Sequence, residues 1–381
     1  MQQYLELLKI IQEKGTYKPA ARENMPGTQS LFGYQFRHDL STGFPALTTK
    51  KIFWKGVVVE LLWFLRGDTN IKYLVDNGVN FWNEDAYNFY NKECKNQKVN
   101  SPLSFEVFVD IIKNSDKGYN ELKYPEILGN IDNFIPKNYV LGDCGYQYGK
   151  IWRNWEKMLP GNEHHPEYKA PVDQIKNLIN SLKNNPESRR HIVSAIDPAH
   201  DTDLALYWCH AMFQFNCRPL TFEERKNLIP KNTPNFLSHE DFDCVKIPKY
   251  YLDCQLFQRS ADAFLGVTFN IASYSLLTEI LAKICNMIPG EFIHSFGDCH
   301  IYDNHKDAVS EQLQRAPTAL PKLIINDEFW NPENVLFKDI TELSSQSLTD
   351  FISSWEINDF QLENYNPQSS IKAELSTGMK K

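Results

Sequence analysis

The stretch from Phe53 to Arg66 constrains the fold of this chain more than any other segment. Its central run, Val57 to Leu65, is apolar around almost the whole circumference of a helix, which is not the pattern of a surface helix. Such a helix has to be buried, and burying it requires a large core. With 42% hydrophobic and 13% aromatic residues in 381, the chain can supply one. We therefore expect a single large α/β or α+β domain over residues 1–381 with excursions from its core.

One carboxylate, Glu60, lies inside that apolar run. Burial disfavours the charged form of a carboxyl, so a glutamate placed there needs a reason. Either it pairs with a structural cation, or its pKa is raised for acid–base chemistry. The sequence leaves both readings open.

Composition and charge narrow the class of protein. A net charge of -8 argues against a surface that coats nucleic acid. Eight cysteines without framework spacing, and an N-terminus without the basic region and apolar core of a signal peptide, predict a reducing, cytoplasmic compartment. No apolar run approaches the roughly 20 residues that span a bilayer, so we expect no membrane partner. Two polar stretches, 88–140 and 219–249, indicate an inserted small subdomain and an inserted loop region.

A thiol and an imidazole are neighbours at Cys209 and His210, at the start of an apolar run. A free cysteine most often packs as a small hydrophobe. A thiolate is also a strong and readily expelled nucleophile, suited to reversible addition to an electron-poor carbon. Zinc at Cys209-His210 and Cys299-His300 is a weaker reading, because the close cysteine pairs of structural zinc sites are missing.

Several polar residues suit an anionic ligand. Arg259 and Ser260 set a guanidinium beside a hydroxyl, a pairing that fits phosphate oxygens. Arg189 and Arg190 precede a predicted strand, where neighbours point to opposite faces, so they cannot both serve one site without a bend. A phosphate of another subunit would explain the pair, and solvated surface charge is the alternative.

Asn270 stands near the start of an apolar helical pattern. It caps that helix, or its amide reads a pyrimidine edge with one donor and one acceptor. His300 and Tyr302 are two residues apart and so share one face of a predicted strand.

Six segments, in their order and approximate spacing, resemble the thymidylate synthase family: Glu60 to Ile71, Ser188 to Arg190, Cys209-His210, Gln255 to Ser260, Phe269 to Tyr274, and His300 to Tyr302. The resemblance covers nearly the whole chain apart from 88–140 and 219–249. It implies a three-layer α/β sandwich around a large mixed β-sheet, dimerising through that sheet. It also implies transfer of the methylene group of 5,10-methylenetetrahydrofolate to dUMP, giving dTMP and dihydrofolate without a metal.

The resemblance further implies a role for each candidate residue. The catalytic residues would be Cys209, which adds to C6 of dUMP, with Glu60, Tyr148, Asn270, Asp262 and His210. The phosphate would be held by Arg22, Arg259 and Ser260, with Arg189 and Arg190 of the partner subunit; Asn270 would read uracil, and His300 and Tyr302 would bind the deoxyribose. The folate would be lined by Trp82, Asp262, Leu206, Gly266 and Phe269. Relatives that act on cytosine carry aspartate where Asn270 stands, so the asparagine favours dUMP.

Three departures from the family pattern leave a second outcome open. The loop from Arg22 to Thr28 is one residue longer than in the family and has lost a glycine, Trp208 replaces the proline that normally precedes the nucleophile, and 378–381 extend past the usual end. If these changes admit water, the intermediate is hydrated and the chain is a dUMP hydroxymethylase that releases 5-hydroxymethyl-dUMP and tetrahydrofolate. A remoter alternative is an inactive relative that binds nucleotide or RNA, against which the intact Cys209 and Asn270 argue.

Overall fold

The structure, a computed structural model, describes residues 1–20, 25–115, 133–159, 168–229, 238–326, 344–374 and 376. Its contacts divide the chain into two compact units. The first, called the sheet unit, comprises Met1–Val58, Ile175–Ser194 and Cys209–Ser376. The second, called the helical unit, comprises Val59–Gln174, Ala195–Trp208 and Thr377–Lys381.

The helices of the described residues, in chain order, are α1 (Gln2–Lys14), α2 (Trp54–Leu65), α3 (Lys72–Asp76), α4 (Asn83–Asn96), α5 (Phe105–Asn114), α6 (Tyr148–Asn154), α7 (Gln174–Asn184), α8 (Phe222–Asn227), α9 (His239–Cys244), α10 (Gly266–Ile284), α11 (Lys306–Leu313) and α12 (Ser345–Ser353). The strands are β1 (Thr16–Lys18), β2 (Thr28–Asp39), β3 (Trp155–Leu159), β4 (Tyr168–Val172), β5 (Ile192–Ser194), β6 (His210–Pro219), β7 (Tyr250–Asp262), β8 (Ile288–Tyr302), β9 (Lys322–Ile325) and β10 (Phe360–Glu363).

The sheet unit is built on a six-stranded sheet in the order β1-β2-β8-β7-β6-β5. Strands β7 and β8 run parallel, and the other neighbours in this sheet are antiparallel. The predicted large mixed sheet is therefore confirmed. Along β7, Leu252, Cys254 and Leu256 are buried while Gln255 and Phe257 are exposed, the alternation of a strand with one face on a core.

Helix α10 packs against β7 and β8 and supplies much of the core of the sheet unit. Most of its residues are buried, in agreement with a sequence that is apolar over nearly all of its surface. Its polar exceptions include Asn270, in the fifth position of the helix. No helix in the described part of the chain is long and apolar enough to cross a membrane.

The helical unit buries the C-terminal part of α2, where Trp63 and Phe64 are among the most enclosed side chains. The helix ends before Gly67, whose positive φ of 76° suits glycine. Arg153 is buried beside this end: it donates to the Leu65 carbonyl and pairs with Asp173, with Nη2 2.9 Å from Oδ2. A buried, paired guanidinium thus satisfies a helix-end carbonyl.

The described parts of the two predicted insertions contain helices. Residues 88–140 fall in the helical unit and include most of α4, which begins before residue 88, and α5, capped by the Ser104 hydroxyl. Residues 219–249 fall in the sheet unit and contain α8 and α9, each starting with a capping box. That these stretches are insertions into one domain stays a prediction.

Candidate active site

Cys209 lies in the sheet unit immediately before β6, and its side chain is partly exposed. The neighbouring strand β7 brings Arg259 to it: the Arg259 backbone N–H donates to the Cys209 carbonyl at 2.9 Å, and Nη2 lies 3.8 Å from Sγ. A guanidinium beside a thiol favours the thiolate. By contrast, Cys254 is fully buried, and burial raises the pKa of its thiol to about 12. Cys209 therefore has the surroundings of a reactive cysteine.

His210 is buried and held by two side chains of α10. Its Nε2 accepts from Asn270 Nδ2 at 2.8 Å, and its Nδ1 lies 3.2 Å from the Tyr274 hydroxyl. Burial lowers the pKa of His210 to about 4, so the ring is neutral near pH 7. Because Nε2 accepts, Nδ1 carries the proton and donates to Tyr274. The ring is thus a fixed acceptor for the Asn270 amide.

Gln258 holds the other side of that amide. Its Nε2 donates to Asn270 Oδ1 at 3.0 Å and to the Ser260 carbonyl at 3.1 Å. A carbonyl can only accept, so the orientation of the Gln258 amide is determined, and its Oε1 must accept from His294 Nε2, 2.9 Å away. Asn270 consequently has one permitted amide orientation. It lies within α10 instead of before it, so the capping role left open by the sequence is wrong.

A cavity of about 390 Å³ in the sheet unit brings together four predicted substrate-binding residues, and it is lined by Lys18, Pro19, Met25, Pro26, Thr28, Arg259, Ser260, Asp298, His300 and Tyr302. Asp298 Oδ1 accepts from His300 Nδ1 at 2.9 Å and from the Ser30 hydroxyl at 2.8 Å. The strand register sets this group, since Ser30 lies opposite His300 and Ser260 lies opposite Asp298. Hydrogen bonds from His300, then Lys18 and Ser30, hold the pKa of Asp298 well below its usual range.

The remaining predicted phosphate ligands are not in this cavity. Arg189 and Arg190 are exposed between α7 and β5, and neither guanidinium has an intramolecular partner in the described part of the chain. Arg22 lies outside the described residues, as do 377–381 at the C-terminus.

Three predicted folate residues surround the start of α10. Asp262 Oδ1 accepts from the Phe264 and Leu265 backbone N–H groups at 2.9 and 3.2 Å, while its Oδ2 has no hydrogen-bond partner among the described residues. Gly266 begins the helix, and Phe269 is half-buried one turn later. One carboxylate oxygen of Asp262 is therefore available to a ligand.

In the helical unit, Trp82 Nε1 donates to Glu60 Oε1 at 2.7 Å. Burial raises the pKa of Glu60 to about 7, and the indole hydrogen bond opposes the rise. Among the described residues no cation lies within ion-pair distance of this carboxylate. The structure thus favours the acid–base reading of Glu60 over the structural ion pair.

The helical unit also contains Tyr148, Leu206 and Trp208. The Tyr148 ring lies 4.9 Å from Phe64 and 6.4 Å from Trp82, measured between ring centroids. Leu206 is exposed, and its carbonyl accepts from Gln147 Nε2 at 2.7 Å. Trp208, which departs from the family pattern, is fully buried, and its Nε1 donates to the Tyr146 carbonyl at 2.8 Å. The unusual ring is therefore part of the core.

Sequence reasoning missed the residues that hold these side chains in place, namely Gln258, His294, Asp298 and Tyr274. Their common signal is a polar side chain at an inward or half-buried position of an otherwise apolar strand or helix. Buried polar groups are almost always hydrogen-bonded, so such positions predict a network without naming its partners.

The family model described as thymidylate synthase matches residues 2–377. A thymidylate synthase of Listeria monocytogenes is 38% identical over 379 residues, covering 99% of this chain and 100% of that protein. A thymidylate synthase of Mycoplasma mobile is 41% identical over 347 residues, covering 91% of this chain and 96% of that protein. With this coverage and the thiol, arginine and asparagine arranged as described, the chain belongs to the thymidylate synthase family.

Proposed function

We propose that this chain transfers the methylene group of 5,10-methylenetetrahydrofolate to C5 of dUMP and reduces it, giving dTMP and dihydrofolate. The observation that carries the proposal is the partly exposed Cys209 thiol beside Arg259, next to an asparagine amide of fixed orientation. The relatives reported above carry the synthase name over their full length, which does not favour the hydroxymethylase alternative.

Cys209 is the nucleophile. Its Sγ forms a bond to C6 of the pyrimidine, and the C5–C6 electron pair moves to C5, which becomes an enolate carbon. That carbon attacks the folate methylene as one of its two C–N bonds breaks. C5 then loses its proton and the second C–N bond breaks, which releases tetrahydrofolate and leaves a methylene group on C5. Hydride from this tetrahydrofolate reduces the methylene to methyl, giving dihydrofolate, and the Sγ–C6 bond breaks to release the thiolate. Arg259 stabilises the thiolate before addition and after expulsion.

Asn270 reads the base. With one N–H on His210 and Oδ1 held by Gln258, the amide still offers its second N–H and a second Oδ1 lone pair. These complement O4 and N3–H of uracil. Cytosine presents the opposite pattern, and the network prevents the rotation of the amide that would accommodate it.

The cavity of the sheet unit binds the rest of the nucleotide. Arg259 and Ser260 hold the phosphate with charge-assisted hydrogen bonds. Asp298 accepts from the Nδ1–H of His300, so Nε2 is the ring nitrogen left for the deoxyribose hydroxyl, with the Tyr302 ring beside it. We extend the phosphate site to Arg22 by resemblance.

Glu60 and Tyr148 take part in the proton-transfer steps. A carboxyl with a pKa of about 7 can both release and accept a proton near neutral pH, which suits transfer to and from O4. Tyr148 helps to remove the C5 proton. His210 positions Asn270. The folate is lined by Trp82, Leu206, Asp262, Gly266 and Phe269, and it is a co-substrate; no metal takes part.

We further propose a homodimer in which Arg189 and Arg190 grip the phosphate bound by the partner. The uncovered face of the large sheet supports a dimer through that face: Met212 and Phe257 lie opposite each other in register, and they are 36% and 40% exposed. Exposed apolar side chains on a sheet face are typical of an association surface. Both arginines are exposed, as a residue that serves another chain must be.

Product analysis tests the activity. The chain is incubated with dUMP and methylenetetrahydrofolate, the nucleotide is identified by mass spectrometry, and dihydrofolate is followed by absorbance. We expect dTMP and dihydrofolate together, lost in Cys209→Ala and retained in Cys244→Ala, a control at an exposed cysteine of α9. Formation of 5-hydroxymethyl-dUMP with unoxidised tetrahydrofolate would contradict the proposal, and so would dUMP binding without any product.

Subunit complementation tests the shared site. Cys209→Ala and Arg190→Ala are each expected to be inactive, but a mixed dimer contains one site with both native residues. Random mixing after unfolding and refolding should restore about one quarter of the native activity, because half of the dimers are mixed and each has one intact site. If the mixture stays inactive while light scattering shows dimers, Arg190 does not serve the partner.

A further inference from the structure

Lys18 ends the edge strand β1 at the mouth of the nucleotide cavity. In the register of the sheet, Lys18 lies opposite Thr28, and Thr28 lies opposite Tyr302, so the three form one row across β1, β2 and β8. Its ammonium donates to Asp298 Oδ2. The other oxygen of the same carboxylate holds His300. Asp298 therefore links Lys18 to His300, the residue proposed to bind the deoxyribose.

The cavity presents an electrostatic conflict. Asp298 is required to orient His300, yet it lines the same cavity as Arg259 and Ser260, which receive a phosphate dianion in the proposed function. Ser260 lies opposite Asp298 in the strand register, so a phosphate held by Ser260 would lie near this carboxylate. Like charges so placed repel each other, the more so where the cavity shields them from water and salt. Lys18 and Arg259 are the cations that line the described cavity.

We propose that Lys18 is the counter-ion of Asp298 and allows one cavity to hold both this carboxylate and a nucleotide phosphate. Lys18 is a positioning residue, because it acts through Asp298 and not on a reacting atom. The Lys18 side chain is 52% exposed, and ion pairs at such sites add little to folding stability. The effect of Lys18 should consequently fall on nucleotide affinity. The inference rests on the proposed binding of dUMP in this cavity.

The first test compares Lys18→Met and Lys18→Arg with the native chain by calorimetric titration of dUMP and by steady-state kinetics. We expect Lys18→Met to weaken dUMP binding and raise its KM about five-fold with kcat unchanged, since Asp298, without its counter-ion, then repels the dianion. Lys18→Arg should restore native affinity, and 0.5 M salt (roughly a 4 Å Debye length) should shrink the difference. Lys9→Met, at an exposed lysine of α1, is the control and should change neither quantity.

The second test repeats Lys18→Met in an Asp298→Asn background. Without the carboxylate there is no charge to neutralise, so the loss of Lys18 should then alter dUMP affinity less than two-fold, roughly the additivity limit of such cycles. An equal loss in both backgrounds would show that Lys18 contacts the phosphate itself, which overturns the inference. If Asp298→Asn does not fold, the same comparison is made in an Asp298→Ser background, which also removes the carboxylate.

The binding readout separates this inference from the proposed function. If the native chain binds dUMP and forms no dTMP, the proposed activity is wrong, but the dUMP affinities of the Lys18 variants still test the role of Lys18. If it forms dTMP and Lys18→Met binds dUMP normally, the function stands and the role of Lys18 is wrong.

Discussion

Replacing Glu60 with glutamine should stabilise the chain above pH 7 while removing its activity. Burial raises the pKa of Glu60 from 4.5 to about 7. The folded chain therefore keeps a proton that the unfolded chain loses between these values, and the free energy of unfolding falls as the pH rises from 4.5 to 7. The difference between the two pKa values corresponds to about 3 kcal/mol. Glu60 retains some solvent exposure, so we expect about 2 kcal/mol.

Urea denaturation of the native chain and Glu60→Gln at pH 5 and pH 8 measures this quantity. Glutamine keeps the oxygen that accepts from Trp82 Nε1, so packing and the hydrogen bond are matched. The gain in stability should be small at pH 5 and reach about 2 kcal/mol at pH 8, whereas Glu13→Gln, at an exposed position of α1, should show no such trend. A difference that does not change with pH would refute the reasoning, because the carboxylate would then carry no burial penalty, and its acid–base role would lose its physical basis.

Three further variants test the sheet unit. Gln258→Leu removes one of the two hydrogen bonds that orient the Asn270 amide, so dUMP affinity should fall about ten-fold and the preference for dUMP over dCMP should narrow. Calorimetry with both nucleotides checks this, and an unchanged preference contradicts it. A Cβ at Gly266 would lie 3.7 and 3.8 Å from its nearest protein atoms, which are ordinary van der Waals distances, so Gly266→Ala should fold normally. If Gly266 contacts the folate, the added methyl group should raise the KM for folate about ten-fold. An unchanged KM would show that Gly266 does not line the folate site. Burial lowers the pKa of His210 from 6.5 to about 4, so the unfolded chain binds a proton there that the folded chain does not. The free energy of unfolding of the native chain relative to His210→Gln should therefore be greatest above pH 6.5 and fall by up to about 3 kcal/mol towards pH 4. Urea denaturation of both chains at the two pH values measures this, and a difference in stability that is the same at both would exclude it.

The buried helices could be predicted from the sequence, but the order of the strands could not. The apolar run around Trp63 and the spacing of Leu276, Leu277 and Leu281 fix burial whatever the neighbours are, because a helix satisfies its own backbone. A strand needs a partner, and the partners here lie far apart in sequence. Strand β2 pairs with β8, for example, where Ser30 lies opposite His300. Nothing in the local pattern of either strand specifies that choice.

The sequence predicted the candidate side chains of the site but not their partners, because the partners come from distant segments. The resemblance named Cys209, Arg259 and Asn270, and the structure brings Arg259 to Cys209 and joins Asn270 to His210. It named no residue that orients them. Gln258 is an inward polar residue of β7, which indicates a hydrogen bond, yet its partners come from other elements and only the folded chain identifies them.

The alternation of β7 explains why one short segment can serve the thiol, the base and the phosphate. Gln258 points to the core, where it orients Asn270, while Arg259 points to the opposite face, where it meets Cys209. The Ser260 carbonyl then fixes the Gln258 amide, because a carbonyl cannot donate. The backbone beside the proposed phosphate ligands thus determines which hydrogen-bond pattern the proposed base reader, Asn270, presents. A slip of one residue in β7 would move Arg259 to the core and Gln258 to the thiol, so the proposed reading of uracil depends on the register of this strand.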